Sequence, residues 1–516
     1  MGRPKKIVTL IVCVDLGNGT TLVAATMPDG HVEVFVDPDG LTATPTAIGF
    51  IAGNPDQPLY GRAALNLRKM EPEHVCVFAK RARGSDIIAL IDCNGKSWTP
   101  GELEQLLFRW RIRHVEELTG LQVAGVLATV PADFSDAQRR ATSAIVEQAG
   151  YPCIGIINEP TGAIIGYAKG KTGTYGVLDV GAGTCDVTLV TVKDGTDFTI
   201  LASSGQDDLG GKEYLAYIIE HCLSLASRQG VVLDPVQDGR DLIGLEYACE
   251  AAKVELSSQP STLISFRAKD RLIDHEMKRE TFEELTTPLT QQIVAHMQDA
   301  LGKANLTPRQ LDGVVLVGGG SRVPSVRAAV EALFGTDKVL TNVDPTNAIV
   351  TGACHAVGLK IEERRQAGDL NLPGEIPAYV LKGDIQLSDI TGQALGVEAL
   401  NATTREMVLA PIVDQGTPLP ASAKKLFGLL NGGAANVSAE IKVLEGKAYC
   451  RPDEARVLAE FSLSDLPAGP TKDRIAVLVD IDTNGLITVH AVDTLSSKEI
   501  SQTVDAGGAV TRSKLG

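Results

Sequence analysis

The sequence predicts an α/β domain of two related lobes followed by an all-β module, and three observations carry that prediction. First, Asp15-Leu16-Gly17-Asn18-Gly19-Thr20 is matched 164 positions later by Asp179-Val180-Gly181-Ala182-Gly183-Thr184. Each copy follows an apolar run of β type (Val8 to Val14; Tyr175 to Leu178) and precedes another (Leu22 to Ala25; Val187 to Val192). Strand, Gly-rich turn and strand recurring at this distance predict two lobes, each with a hairpin loop. Second, segments of helical periodicity lie between and after the two copies. Third, beyond about residue 390 the period changes from helical to the alternation expected of strands.

Helices are predicted over Pro100 to Thr119 and Ser135 to Gly150, the latter with Ser135-Asp136 at its N-cap and Gly150 as its stop. Further helices are expected over Tyr214 to Arg228, Leu242 to Leu256 and Arg279 to Leu306. A third Gly-rich turn, Gly318-Gly319-Gly320-Ser321, follows the buried-strand run Val315 to Val317 and opens a helix over Val323 to Phe334. After Glu362-Glu363-Arg364-Arg365, the breakers Gly368, Pro373, Gly374, Pro377 and Gly383 read as a linker. In the β module Ile475, Val477, Val479 and Ile481 alternate with other residues. Asn484-Gly485 then turns the chain into a return strand, Leu486 to Val492. The expected boundaries are 1–365 for the first domain, 366–390 for the linker, 391–507 for the β module and 508–516 for a patternless tail. A chain of 516 residues is too long for one ordinary domain.

Composition narrows the function classes. Hydrophobic residues make up 44% and aromatics 4%, so the cores are aliphatic. A net charge of −16 repels phosphate-rich surfaces and argues against a nucleic-acid or anionic-membrane partner. Nine cysteines are dispersed without C-x-x-C spacing, several inside apolar runs such as Ile11-Val12-Cys13-Val14. That pattern reads as buried thiols in a reducing compartment and not as a disulfide framework or zinc site. Arg3-Pro4-Lys5-Lys6 and the apolar run after it mimic a signal sequence, but Asp15 ends the run and no cleavage motif follows. No stretch approaches the roughly 18–20 apolar residues that span a bilayer, so a cytoplasmic protein is expected.

The loops imply phosphate chemistry. A Gly-rich turn exposes consecutive backbone N–H groups and lets a phosphate approach them closely. Two such hairpins facing each other would clamp a polyphosphate, with Asp15 and Asp179 directed at a phosphate-bound Mg²⁺, an ion that takes only one or two carboxylates. A single turn of this kind would more simply be structural, with Asp as turn former; the duplication argues against that. No G-x-x-x-x-G-K-[ST] occurs at these loops, and 315–320 lacks the full G-x-G-x-x-G.

Taken in order, Asp15 to Thr21, Val130-Pro131-Ala132, Asn158-Glu159-Pro160-Thr161, Asp179 to Asp186, Leu209-Gly210-Gly211 and Val317 to Pro324 resemble the heat-shock-protein-70 (DnaK-type) family. The similarity continues through Asp389-Ile390 and Leu395-Gly396-Val397-Glu398 to Asp480-Ile481-Asp482-Thr483-Asn484-Gly485, spanning about residues 8–505. It implies an actin-like, two-lobed ATPase domain followed by a β-sandwich peptide-binding domain, acting as an ATP-dependent chaperone on unfolded polypeptide. ATP or ADP with Mg²⁺ would be the ligand. Lys80, Glu159, Asp179 and Asp186 match the family's catalytic residues, and Asp15 with Asp179 its magnesium carboxylates. Nucleotide contacts fall on Gly17, Asn18, Gly19, Thr20, Ala182, Gly183, Thr184, Gly210 and Gly211. Glu250, Lys253 and Ser257, spaced to share one helix face, match contacts to the base and ribose, opposite Gly319, Gly320 and Arg322. Without the resemblance Glu250 and Lys253 would read as an exposed ion pair. Val397, Leu400, Phe427 and Ile441 match the peptide cleft, although each alone reads as core. Pro131, Arg139 and Asp389 match interdomain signalling positions. A nucleotide-exchange factor and a J-domain co-chaperone are implied partners.

Several positions depart from the family. Asn18-Gly19 stands where two threonines are usual, Val254 where an arginine stacks on adenine, and Gly155 where an arginine docks the J-domain. The linker Ile385-Gln386-Leu387-Ser388-Asp389 breaks a run of leucines, the segment after Arg83 is short, and Gly516 falls where a helical lid would begin. These departures keep two rivals open: a nucleotide-sensing peptide-binding protein with little turnover, and an actin-like filament former.

Overall fold

A computed structural model describes residues 9–503 apart from 53–56, 78, 133, 341–343, 369–371, 373–378, 381–384, 430–435 and 483–484. The predicted tail, much of the predicted linker, and Val8 and Asn484 lie outside the described residues. Close contacts divide the chain into two compact units. One comprises Met1–Pro131, Ile145–Phe198 and Ala202–Gln386; the other comprises Ala132–Ala144, Thr199–Leu201 and Leu387–Gly516.

The first unit is built on two six-stranded sheets of one plan. In the first sheet the central strand Thr9–Leu16 pairs antiparallel with Thr20–Thr26 on one side and parallel with Gln122–Val130 on the other, and Cys153–Asn158 lies beyond. In the second sheet Gly173–Val180 pairs antiparallel with Thr184–Lys193 and parallel with Gly313–Val317, and Val339–Leu340 lies beyond. Both central strands are buried almost throughout, as the unbroken apolar runs require when helices cover both faces. Gln386–Ser388, inside the predicted linker, is a short strand.

The helices are α1 (Gly61–Arg68), α2 (Pro100–Thr119), α3 (Asp136–Gln148), α4 (Glu159–Ala168), α5 (Gly211–Arg228), α6 (Gly239–Glu255), α7 (Arg279–Lys303), α8 (Pro324–Phe334) and α9 (Ala348–Ala367). α2 shows why the sequence forecast its ends so well. Thr99 and Glu102 form a capping box, Pro100 occupies the first turn, and Gly120 closes the helix in a left-handed conformation at φ 67°. α4 has Pro160 in its first turn but no side-chain cap and no glycine at its C-cap. It is buried on nearly every side, so its residues show no polar face and no helical period.

In the second unit two four-stranded sheets form. One runs Met407–Val413, Ala394–Leu400, Val437–Gly446, Arg456–Leu466; the other runs Ala421–Phe427, Ile475–Ile481, Ile487–Asp493, Glu499–Thr503. Their inner faces share one apolar core that includes Val397, Val443, Phe461, Val477, Val479 and Val489. Ile475–Ile481 and Ile487–Asp493 pair antiparallel with Ile481 opposite Ile487, the return strand starting one residue later than expected, and Gly485 takes φ 79°. Arg474 and Asp493, both buried, form an ion pair there, and Arg474 also donates to the carbonyls of Pro467 and Pro470.

Candidate functional site

The two hairpin loops are built alike. Gly17 N–H donates to Thr20 O at 3.0 Å, and Gly181 N–H donates to Thr184 O at 2.9 Å. Their tips meet: a Cβ on Gly19 would come within 2.8 Å of Ala182 Cβ. The third Gly-rich turn backs the second loop, where a side chain on Gly318 (φ 77°) would strike Val180 O at 2.4 Å and Asp179 Oδ1 at 2.5 Å.

Asp15 and Asp179 close the central strands of the two sheets, and both are buried. Glu159, at the first turn of α4, is buried beside them, and its carboxylate pairs with Lys80 Nζ at 2.5 Å. Lys80 sits in the short turn Ala79–Ala82 and is 6% exposed. Burial and the negative charge of Glu159 push the Asp15 carboxyl up to about 6, against the pull of Lys80 and the Thr129 hydroxyl, which donates to its Oδ1 at 2.9 Å. Burial, then Glu159 and Asp15, push Asp179 up to about 8. Three carboxylates and one ammonium thus crowd a desolvated pocket that favours added positive charge. Asp186, 2% exposed, lies directly across the strand from Asp179.

The fit of this pocket to Mg²⁺ and a polyphosphate rests on those mutually suppressed carboxyls, the glycine cradle and unpaired amide atoms on Asn18. Among the described residues no three side chains converge as ligands of one metal. Two carboxylates suit an ion held mainly through water and phosphate.

Gly210 and Gly211 open α5 against the second loop. Gly211 N–H donates to Gly181 O at 3.0 Å and Lys212 N–H to Ala182 O at 2.7 Å; a Cβ on Gly210 would sit 2.6 Å from Gly183 N. Lys253 on α6 donates to Gly211 O at 3.0 Å and pairs with Glu250 at 2.6 Å. Ser257 lies just past the end of that helix, and its Oγ donates back to Lys253 O at 3.4 Å. α6 ends at Glu255, and Ser257 N–H turns back to Val254 O in the tight last turn. Arg322 is half-exposed and bonds Asp344 and Thr346. Val254 is 62% exposed.

Pro131 is buried; Arg139 donates to the carbonyls of Phe134 and Ala132; Asp389 accepts from Ile390 N–H. Gly155 lies inside the strand Cys153–Asn158. Val397 and Ile441 belong to the core of the β module, Phe427 packs against that core half-buried, and Leu400 is 37% exposed at a strand end. The nine cysteines carry no disulfide. No helix among the described residues is long and apolar enough to cross a membrane.

Residues 11–515 match the Hsp70 protein family. The chain belongs to the Hsp70 family. Within this family it is 32% identical over 504 residues to the "Chaperone protein DnaK" of Thermosipho africanus, covering 96% of this chain and 79% of that protein. It is 31% identical over 507 residues to the "Chaperone protein DnaK" of Thermotoga neapolitana, covering 96% and 80%. Two features of this Hsp70 chain's site escape sequence reasoning. Arg83 forks onto Glu104 at 2.7 and 2.8 Å, fully buried, and reaches Leu16 O at 3.3 Å, just before the first loop. Arg68 of α1 forks onto Glu246 of α6 at 2.8 and 2.9 Å, while Tyr247 donates to Leu65 O. Their partners lie 21 and 178 residues apart, and no motif links them.

Proposed function

We propose that this protein is a DnaK-like, ATP-dependent chaperone whose nucleotide state controls its hold on extended apolar segments of unfolded polypeptide. The observation that carries this reading is the meeting of two matched Gly-rich hairpins over a buried set of Asp15, Asp179, Glu159 and Lys80. In this reading an actin-like, two-lobed domain up to about residue 365 hydrolyses ATP, and the β module from about 391 binds peptide. The loops cradle the phosphates with Gly17, Asn18, Gly19, Thr20, Ala182, Gly183 and Thr184. Glu250, Lys253, Ser257, Gly319, Gly320 and Arg322 flank the base and ribose. Bound with the nucleotide, Mg²⁺ supplies positive charge where phosphate charge is concentrated.

The remaining work falls to the chain's own residues. Asp15 and Asp179 hold the water shell of the ion, and Asp186 extends that acidic wall. Lys80, kept oriented by Glu159, directs its ammonium at the charge developing in phosphoryl transfer to water. Pro131, Arg139 and Asp389 relay nucleotide state, and Val397, Leu400, Phe427 and Ile441 form the peptide cleft. A cytoplasmic setting, a nucleotide-exchange factor and a J-domain partner, the last weakened by Gly155, complete the proposal.

Single-turnover phosphate release tests the chemistry. Lys80→Ala is expected to slow it on the order of 10²–10³-fold, and a wild type no faster than the variant excludes hydrolysis by this site. Affinity for a labelled apolar peptide is expected to fall when ATP replaces ADP; equal affinity would exclude nucleotide control. A second reading, a nucleotide sensor with little turnover, draws on Asn18-Gly19, which leaves the first loop tip without a hydroxyl before Thr20.

A further inference from the structure

Two imidazoles meet beside α5. His221 lies on that helix, and His275 lies on the second strand of an antiparallel hairpin, Ser261–Ala268 and Arg271–Lys278. Their ring centroids are 5.1 Å apart and the ring planes are inclined at 46°. His275 alternates along its strand with Ile273 and Met277, both buried, so its ring faces inward. His221 follows the buried Ile218 by about one helical turn. Both histidines are half-buried.

Ring stacking does not account for the pair. Aromatic pairs prefer offset-parallel or edge-to-face geometry, and this tilt is neither. Packing alone also leaves the enclosed His275 Nε2 without a hydrogen-bond partner among the described residues, and burying such an atom unpaired costs stability. A shared metal ion answers both points. With metal–nitrogen bonds of about 2.0–2.1 Å, two imidazoles on one ion hold their ring centres roughly 4.5–5.5 Å apart.

The donors say which ion fits. The charges acting on the pair are those of Arg228, on α5, and Glu276, which follows His275 and so lies on the opposite face of the strand. Imidazoles beside a guanidinium offer nothing to Mg²⁺ or Ca²⁺, which take oxygen ligands. Neutral imidazole nitrogen suits Zn²⁺, Ni²⁺ and Cu²⁺.

We propose that His221 and His275 form a two-imidazole site for a divalent ion of the Zn²⁺ class, with water completing its coordination. Such an ion ties α5 to the hairpin, and the site is independent of the nucleotide reading above.

The test is a calorimetric titration of the full chain with zinc chloride, in excess Mg²⁺ to occupy carboxylate sites. His221→Phe and His275→Phe each keep a ring and lose its nitrogens. His31→Ala controls for the exposed His31, which lies against Asp29 and Glu33. Either Phe variant is expected to weaken one Zn²⁺-binding event by at least roughly 10- to 100-fold, the cost of losing even an outer-shell partner, while His31→Ala leaves it unchanged. In wild type with nitrogen-labelled histidine, Zn²⁺ is expected to move the imidazole resonances of His221 and His275 together, at the same ion concentration. That readout decides alone where a Phe variant does not fold. Zinc binding equal in wild type and both Phe variants, movement of only one of the two rings or of neither, or loss of the whole signal in His31→Ala overturns the inference.

Discussion

The two hairpins share a backbone plan, yet they are fastened differently. The first is held chiefly by side chains, beside one backbone bond from Thr46 N–H to Gly19 O at 2.9 Å. Thr46 Oγ1 donates to Gly17 O at 2.9 Å, Thr129 bonds Asp15, and Arg83 reaches Leu16 O from its buried pairing with Glu104. The second is held chiefly by backbone. Asp208, Gly211 and Lys212 N–H groups bond the carbonyls of Gly183, Gly181 and Ala182 in turn. A strand-edge hydrogen bond can come from either source, but the consequences differ. Side-chain anchors can be deleted one at a time, whereas backbone anchors yield only to a change in the space they occupy. The leading carboxylates differ in the same way: Asp15 has a hydroxyl donor, and Asp179 faces another carboxylate, Asp186, across the strand.

The largest expected effect attacks the first hairpin. Arg83→Met leaves Glu104 charged, buried and unpaired, which costs about 3–5 kcal/mol; denaturant unfolding measures it. The double variant Arg83→Met/Glu104→Leu is expected to recover most of that stability, because the uncompensated charge is gone. A double variant as unstable as the single would show that Arg83 acts through packing alone.

Next in size is the backbone counterpart. Gly210→Ala drives a Cβ to within 2.6 Å of Gly183 N, and overpacking of this kind costs roughly 1–3 kcal/mol. Because the displaced atom belongs to the loop, nucleotide affinity is expected to fall along with the melting temperature. Affinity that holds while stability falls would uncouple the α5 anchor from the clamp.

The carboxylates offer a smaller, pH-dependent contrast. Both bind protons more tightly folded than unfolded, so their contribution to stability is fully present below the ordinary carboxylate range, near 3.8, and is lost as pH rises through the folded values. For Asp15 the loss is complete by about pH 6; for Asp179 it continues to about pH 8. Melting of the nucleotide-free protein between pH 6 and 8.5 is therefore expected to flatten most in Asp179→Asn and less in Asp15→Asn, which removes only the Asp15 part of the push on Asp179. Equal slopes in the two variants would erase the distinction.

Smallest of all is Thr129→Val. Loss of the hydroxyl removes a bond that favours ionised Asp15, so the carboxyl moves further up. A cost of about 1 kcal/mol is expected at pH 8, read as a small fall in melting temperature that disappears near pH 4.

Much of this was legible in the residue order. The paired loops needed only local spacing, and α2 announced both its ends through Thr99, Pro100, Glu102 and Gly120. The predicted helix Leu242 to Leu256 appears as Gly239–Glu255, and Arg279 to Leu306 as Arg279–Lys303. Where burial is one-sided, period and caps suffice. α4 was missed as a helix because it is buried all round, and α1 because only two of its eight residues are buried. The spacing that joined Ser257 to Glu250 and Lys253 runs two residues past the end of α6, where Ser257 Oγ still bonds Lys253 O.

The sequence by itself determined the paired Gly-rich loops, the helices that announce themselves by period and caps, and the family. Each is written in residues close together in the chain, where backbone stereochemistry and side-chain period act directly. Only the tertiary structure decided that Lys80 meets Glu159 across 79 positions, that Thr129 steadies Asp15 across 114, and that Arg83 is buried on Glu104. It also decided that the Asn18 amide is enclosed without a partner. Pairing, burial and the shifted acidity of Asp15 and Asp179 depend on which distant groups exclude water from one another, and that is set by packing.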